Sequence, residues 1–356
     1  MSKYSLLALG LYSSMVFCMN PKDMQLEFPV STRKAYVQHN IVQKPTQPVC
    51  HFCDEKTLST NYIIREDRES DVREMMNKFP YFDFDQGHHL LIMPISHKEH
   101  PDEFCENEII EQADAARHLS AKLYGTAYTQ EYCTSWGKDA GQSVPHWHNH
   151  LKSYTKPPQS IPKRIASYKN PYIKTIEEAH TALTTLLESA EDIPPSLDTL
   201  HDESTCLCCT IKNDQIHDEE NLVVGRFIHN YICLSHYPSL PGEIVVIPNR
   251  HVAAIKDLSR EEFGENMILA MALLSTMQKY AHEYIRGCNS ANLFTKSMGQ
   301  KASDDEKSNF HVYTRILPRT IIALSAGQLG DNSCKLDVDP IHLFTHLKDI
   351  LSQKKT

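Results

Sequence analysis

His146, His148 and His150 alternate with Trp147 and Asn149, directly after Gly141-Gln142-Ser143-Val144-Pro145. In an extended segment, side chains at i, i+2 and i+4 point to one face. Three imidazoles are therefore expected in one shared space. Near neutral pH an imidazole serves as nucleophile, proton carrier or metal ligand. Two further groups have spacing suited to chemistry, Cys50-x-x-Cys53 and Cys206-x-x-Cys209. Such a turn offers two thiolates to one tetrahedral ion, which needs two more ligands from elsewhere.

The stretch Gly141-Gln142-Ser143-Val144-x-His146-x-His148-x-His150 resembles the signature of the histidine triad superfamily. Trp136-Gly137-Lys138-Asp139-Ala140 resembles the loop that leads into it in Hint-type nucleotide hydrolases. The resemblance implies cleavage or transfer at the α-phosphate of a nucleotide, through a nucleotidyl-histidine intermediate. It makes His148 the nucleophile. His150 and Ser143 would contact phosphate or leaving-group oxygens, His146 would support them, and the loop at Gly141 and Gln142 would bind the nucleotide. The chain departs from the pattern at Asn149 and Lys152, where the family usually has apolar residues. It departs again at Ser135, where Hint-type members usually have Asn.

Elements must bring these residues together. His88-His89-Leu90-Leu91-Ile92-Met93-Pro94 reads as a short strand ended by proline, followed by His97. Residues 108–124 carry apolar residues at helical spacing. A strand around Tyr128–Ser135, a glycine loop and the histidine segment complete a unit. Residues 54–78 read as charged and irregular. A connector over 156–202 holds a helix from about Ile176 to Ala190, expected to pack through Ala179, Leu183 and Leu186.

The pattern then begins again. Cys206 and Cys209 match the first cysteine pair, and Ile244-Val245-Val246-Ile247-Pro248 with His251 matches the first Pro-ended strand. Ser259-x-x-Glu262 reads as a capping box opening a helix to about Ile285. Phe310-His311-Val312-Tyr313-Thr314-Arg315 stands where the histidines stood. From Cys50 to Cys206 and from Cys53 to Cys209 the shift is 156; from His97 to His251 it is 154, and from His146 to His311 it is 165. The longest shift absorbs the polar insert at 302–308. Matched order and spacing at four positions indicate an internal duplication.

Each copy supplies two thiols and two imidazoles: Cys50, Cys53, His97 and His146, then Cys206, Cys209, His251 and His311. Two thiolates and two imidazoles make a closed zinc site. The arrangement resembles that of galactose-1-phosphate uridylyltransferases, the branch of the superfamily built from two such halves. The ion would be structural, in one or two sites, and His146 would then be a ligand. In the second copy Tyr313 and Arg315 replace the second and third histidines, so that copy is expected to be silent. Arg315 or Arg319 could hold a phosphate there. The third histidine resembles the hydrolase branch, whereas the tandem plan resembles the transferase branch. Dinucleoside polyphosphate phosphorylases, a third relative, lack the double cysteine pattern.

Composition bounds the rest. The chain has 356 residues, 41% apolar, enough for two packed units. A net charge of -9 with no long basic run argues against a nucleic-acid surface. The 11 cysteines are expected as metal ligands and buried thiols (Cys105, Cys133, Cys233, Cys288) rather than a disulfide framework. Residues 5–18 are apolar or small, the length of a signal-peptide core. A cytoplasmic protein is expected, exported if that segment is a signal.

The expected fold is α+β: two halves, each an antiparallel sheet with a helix, forming a pseudo-dimer within one chain. Residues 1–47 are a leader or arm, 48–155 the catalytic half, 156–202 the connector and 203–350 the degenerate half. The expected function is a nucleotide hydrolase or nucleotidyltransferase using a nucleotide or nucleotide-sugar, as monomer or homodimer. Two alternatives stand beside it: a hexose-1-phosphate uridylyl- or adenylyltransferase, and a zinc-stabilised nucleotide-binding protein with little turnover.

Overall fold

A computed structural model describes residues 50–54, 62–77, 86–137, 140–142, 144–157, 176–190, 206–235, 238–239, 242–279 and 288–320. Residues 1–47, Ser143, Lys138, Asp139 and the C-terminal stretch lie outside the described residues. So do the expected signal and most of the connector. One ten-stranded antiparallel sheet runs through the two halves in the order β1-β2-β3-β5-β4-β9-β10-β8-β7-β6. The strands of the first half are β1 (Ile63–Asp67), β2 (Val72–Met76), β3 (Gly87–Pro94), β4 (Thr129–Trp136) and β5 (Asn149–Tyr154). Those of the second are β6 (Val223–Arg226), β7 (Asn230–Leu234), β8 (Ile244–Pro248), β9 (Cys288–Met298) and β10 (Tyr313–Thr320). Read outward from the centre, the two orders are the same. The duplication legible in the spacing is thus a two-fold in the sheet, and the fold is the expected α+β pseudo-dimer.

The seam is the pairing of β4 with β9, running from Thr129↔Met298 to Trp136↔Ala291. Helices α1 (Glu106–Tyr124) and α4 (Arg260–Lys279) lie on one face of the sheet and pack on each other. Tyr132 of β4 meets Phe263 of α4 edge-on at 5.8 Å. The expected capping box opens α4: Ser259 N–H donates to Glu262 Oε2 at 2.7 Å, and Glu262 N–H to Ser259 Oγ at 3.1 Å. Helix α2 (Ile176–Ser189) packs through Leu183, buried, and Leu186, partly buried, as expected, with Leu187 added; the side chain of Ala179 lies outside the described residues. Two short helices, α3 (Leu207–Asn213) and α5 (Asp304–Ser308), complete the elements used below.

Three expectations need correction. Residues 63–76 form the β1–β2 hairpin, not irregular chain. Its alternation is hidden because Arg73 and Glu74 are buried as ion pairs, Arg73 with Glu66 and Glu74 with Arg65, each at 2.6 Å. Strand β5 begins only at Asn149, so His146 and His148 precede it in a bend, where His146 N–H donates to Val144 O at 2.8 Å. Cys105 is exposed at the start of α1, while Cys133 and Cys233 are buried. Strands β6 and β7 had no sequence signal strong enough to be read.

Candidate functional site

The side of the sheet away from α1 and α4 is chemically dense. Parity decides which residues it carries. Asn149 donates to Gln112 of α1 at 2.9 Å, so Asn149 faces the helices and His150 faces away. By the same alternation Cys133 and Ser135 on β4, and Arg315, Leu317 and Arg319 on β10, share the face of His150.

His148 is buried beside Phe52 and His150, with ring centroids 5.4 and 5.1 Å away. Its Nδ1 lies 2.7 Å from the carbonyl oxygen of His146. A carbonyl only accepts, so Nδ1 carries the proton and the neutral ring keeps its lone pair on Nε2. His150 Nδ1 meets His89 Nε2 at 2.8 Å. His89 is fully buried, and burial, then the neighbouring Lys152 and His148, hold its pKa well below the ordinary value. It is neutral, and one ring donates to the other. The amide of Asn77 reaches His89 as well, 3.1 Å from Nε2.

Sequence reading missed His89, although a signal existed. His89 has the parity of Leu91, which pairs with His150 across β3 and β5. The loop before the motif is braced by Gln142, whose side-chain oxygen accepts from Gly137 N–H at 2.9 Å. Gly137 (φ 84°) and Gly141 (φ 86°) hold left-handed conformations that glycine adopts without a Cβ clash. Lys152 is buried, with its ammonium 2.6 Å from Glu131 Oε1 and 3.2 Å from Cys133 Sγ. Its charge is thus neutralised inside the sheet face. Burial pushes the Cys133 thiol up to about 12.

The two predicted metal sets assemble as expected. Cys50, Cys53, His97 and His146 form one cluster, and Cys206, Cys209, His251 and His311 the other, their ligand atoms within 4.8 Å of one another. In the first, Cys50 Sγ and Cys53 Sγ each lie 3.4 Å from His146 Nδ1, and Cys53 Sγ lies 3.4 Å from His97 Nδ1. In the second, Cys206 Sγ to His311 Nδ1 is 3.5 Å and Cys209 Sγ to His251 Nδ1 is 3.6 Å. Tetrahedral bonds of about 2.3 Å to sulfur and about 2.0 Å to nitrogen place S and N about 3.5 Å apart, so both donor sets fit. His146 Nε2–H donates to Pro94 O and His311 Nε2–H to Pro248 O, both at 3.0 Å. Those bonds aim each Nδ1 lone pair at the sulfurs. His146 could thus serve as a ligand through Nδ1 while its backbone carbonyl orients His148.

The second half repeats the frame with other chemistry. Arg315 occupies the place of His150 and Glu243 that of His89, and their side chains pair at 2.6 Å. Arg315 also donates to Ser239 Oγ at 2.9 Å. Tyr313 stands in the place of His148.

No protein-family model matches the chain. Among curated proteins it is similar to the AP-4-A phosphorylase of Mycobacterium tuberculosis (strain ATCC 25618 / H37Rv). The two are 31% identical over 106 residues, 30% of this chain and 50% of that protein. The chain thus spans about half the length of the curated relatives it matches. Among solved structures, a uridylyltransferase aligns with a TM-score of 0.60 at 16% identity, covering 88% of this chain and 94% of that one. An ADP-glucose phosphorylase from Arabidopsis thaliana, with bound ADP-glucose, aligns at 0.54 and 14% identity, covering 78% and 83%. A uridylyltransferase-like protein from the same plant aligns at 0.53 and 14%, covering 76% and 82%. These likenesses, at 14–16% identity, show a shared fold: the duplicated sheet of this chain is similar to that of the uridylyltransferase and the ADP-glucose phosphorylase.

Proposed function

We propose that this chain transfers or hydrolyses a nucleotidyl group at an α-phosphate, with His148 as the nucleophile. The reading rests on the bond from His148 Nδ1 to the His146 carbonyl, which fixes the tautomer that puts the ring's lone pair on Nε2. The Nε2–P bond forms as the bond from phosphorus to the leaving oxygen breaks. Water or a second phosphate then takes the nucleotidyl group and returns the imidazole. Backbone N–H groups of the Gly141 loop, with Gln142, Ser143 and His150, are the donors this reading assigns to the phosphoryl oxygens. His150 is held at the right place by His89.

The substrate class is a nucleotide or nucleotide-sugar. The names of the relatives, a phosphorylase of AP-4-A and a phosphorylase of ADP-glucose, favour transfer to an acceptor over hydrolysis. The alternative of a nucleotide-binding protein with little turnover draws on Asn149 and Lys152, polar where the superfamily pattern is apolar, and on Ser135, where Hint-type members usually have Asn. Both metal sites suit zinc, which when bound would pin the segment carrying His148 and play no part at phosphorus. The reading takes residues 48–155 as the catalytic half and 203–350 as its silent partner.

The test is intact mass after brief mixing with ADP-glucose, UDP-glucose, a dinucleoside polyphosphate and adenosine phosphoramidate. Wild type is expected to gain one nucleoside monophosphate, which names the base, and His148→Ala to gain none. An adduct that persists in His148→Ala overturns the nucleophile assignment. Neither adduct nor product with wild type transfers the weight to the binding-protein reading.

A further inference from the structure

Every other arginine among the described residues has a carboxylate partner: Arg65, Arg68, Arg73, Arg117, Arg226, Arg250, Arg260 and Arg315 all form ion pairs. Arg319, near the end of β10, does not. It is half-buried, and its Nε donates to the neutral Asn292 Oδ1 at 2.6 Å. Burial holds its pKa below the ordinary guanidinium value, against the pull of Glu243, which is near enough to act on it but forms its ion pair with Arg315. Taking a cation from water without an anion is costly, and proteins accept that cost where a ligand supplies the anion.

The position of Arg319 says which ligand. Asn292 Nδ2 donates to Ser135 Oγ at 2.9 Å and to Ala140 O at 3.1 Å, in the loop that leads into the histidine motif. Ser135 pairs with Asn292 across the seam, and Asn292 with Leu317. The β4–β5 register runs Cys133↔His150, then Thr134↔Asn149. Beyond the ladder, Thr134 Oγ1 donates to the His148 carbonyl at 2.8 Å, so Ser135 lies next to the segment that carries His148. A row therefore runs from His148 through Ser135 and Asn292 toward β10, with neighbouring strands about 5 Å apart. Arg319 reaches back into that row from the second half. A group bonded to the phosphorus at His148 and extending across the seam would meet it.

We infer that Arg319, held in place by Asn292, forms an anion subsite, supplied by the second half, for a phosphate lying beyond the one His148 attacks. The ligand is a phosphate dianion. It is either the second phosphate of the nucleotide donor or a free phosphate acting as acceptor. Two guanidinium nitrogens, NH1 and NH2, remain to grip it as a fork. Arg315, the other candidate, is excluded because Glu243 already neutralises it. This inference rests on the proposed chemistry only for the identity of its ligand.

The test uses the full chain with inorganic pyrophosphate and inorganic phosphate, read by calorimetry and thermal melting. Wild type is expected to bind pyrophosphate and melt higher with it. Arg319→Gln is expected to weaken binding on the order of 10- to 100-fold, and Arg319→Lys to restore part of it. Because the cation is unpaired, Arg319→Gln without ligand is expected to melt no lower than wild type. A structural arginine would give a clear fall. The two ligand sources separate in kinetics. A raised KM for ADP-glucose makes the ligand the donor's second phosphate, whereas a raised Kd for inorganic phosphate alone makes it the acceptor. Wild type that binds neither anion, or Arg319→Gln that binds them as wild type does, overturns the subsite. Arg319-dependent binding in a chain that forms no adduct would leave the subsite standing and remove the proposed chemistry.

Discussion

His89 with His150, and Glu243 with Arg315, occupy matching places in the two halves and solve different problems. Burial holds His89 neutral beside His150, whereas the carboxylate–guanidinium pair neutralises its own charge. Under the proposed chemistry, Tyr313 in place of the middle histidine leaves the second half without a nucleophile, and Glu243 neutralises Arg315. One residue has a consequence for stability. His88 starts β3 on its core side, and burial lowers its pKa from 6.5 to about 4. The unfolded chain binds that proton first as pH falls. The stability is therefore complete above pH 6.5 and is lost on the way down to about pH 4. The loss is about 3 kcal/mol. Urea melts of metal-loaded protein are expected to show a shallower slope across that window in His88→Leu than in wild type. Equal slopes would mean that His88 is not the group responsible.

Each half carries a buried polar bridge from its long helix to its inner strand. Gln112 of α1 accepts from Asn149, and Asn266 of α4 accepts from Thr314 Oγ1 at 2.6 Å. These are matching positions, which accounts for the polar Asn149. The second bridge is complete, because Asn266 also donates to Asn230 Oδ1 at 2.8 Å. In the first half the place of Asn230 is taken by Val72, since Val72 pairs with Pro94 as Asn230 pairs with Pro248. Gln112 Nε2 accordingly has no partner among the described residues, and it borders a cavity of about 20 Å³, room for one water. Asn149→Val is expected to cost about 1–3 kcal/mol by stranding the rest of the Gln112 amide. The double variant with Gln112→Leu should recover most of it. A double-mutant cycle in denaturant decides, and simple additivity would argue against the bridge.

At the scale of the molecule, the halves are held by a continuous seam and braced at their outer ends. Gly299 packs so tightly against the first half that a Cβ there would lie 2.3 Å from Ala127 O. Each cluster of two cysteines and two histidines ties the N-terminal turn of its half to the segment that opens its inner strand. Both are expected to hold zinc, giving two ions per chain. Cys50→Ser and Cys206→Ser should each lose one ion and lower Tm on the order of 10 °C. Only Cys50→Ser should also impair adduct formation, because His146 presents the carbonyl that orients His148. Metal content by mass spectrometry checks the first part, and an unchanged two ions in either variant would remove that site.

Local chemistry and spacing were enough to determine the duplication, both cysteine–histidine sets, and the candidate histidines with Tyr313 and Arg315 in their place in the second copy. These depend on residue type and on distance along the chain. The strands that ion pairs disguise, β1 and β2, were illegible because their buried faces are charged; Arg73 and Glu74 read as solvent-exposed until Glu66 and Arg65 are set opposite them. The partnership of His89 with His150, the burial of Lys152 against Glu131, and the isolation of Arg319 each join residues on different strands. Which strands are neighbours is a property of the sheet order, and β4 against β9 is a pairing across more than 150 residues of chain. Only the tertiary structure decides which charges find partners there, because the desolvation that makes an unpaired charge meaningful exists only once the sheet has closed around it.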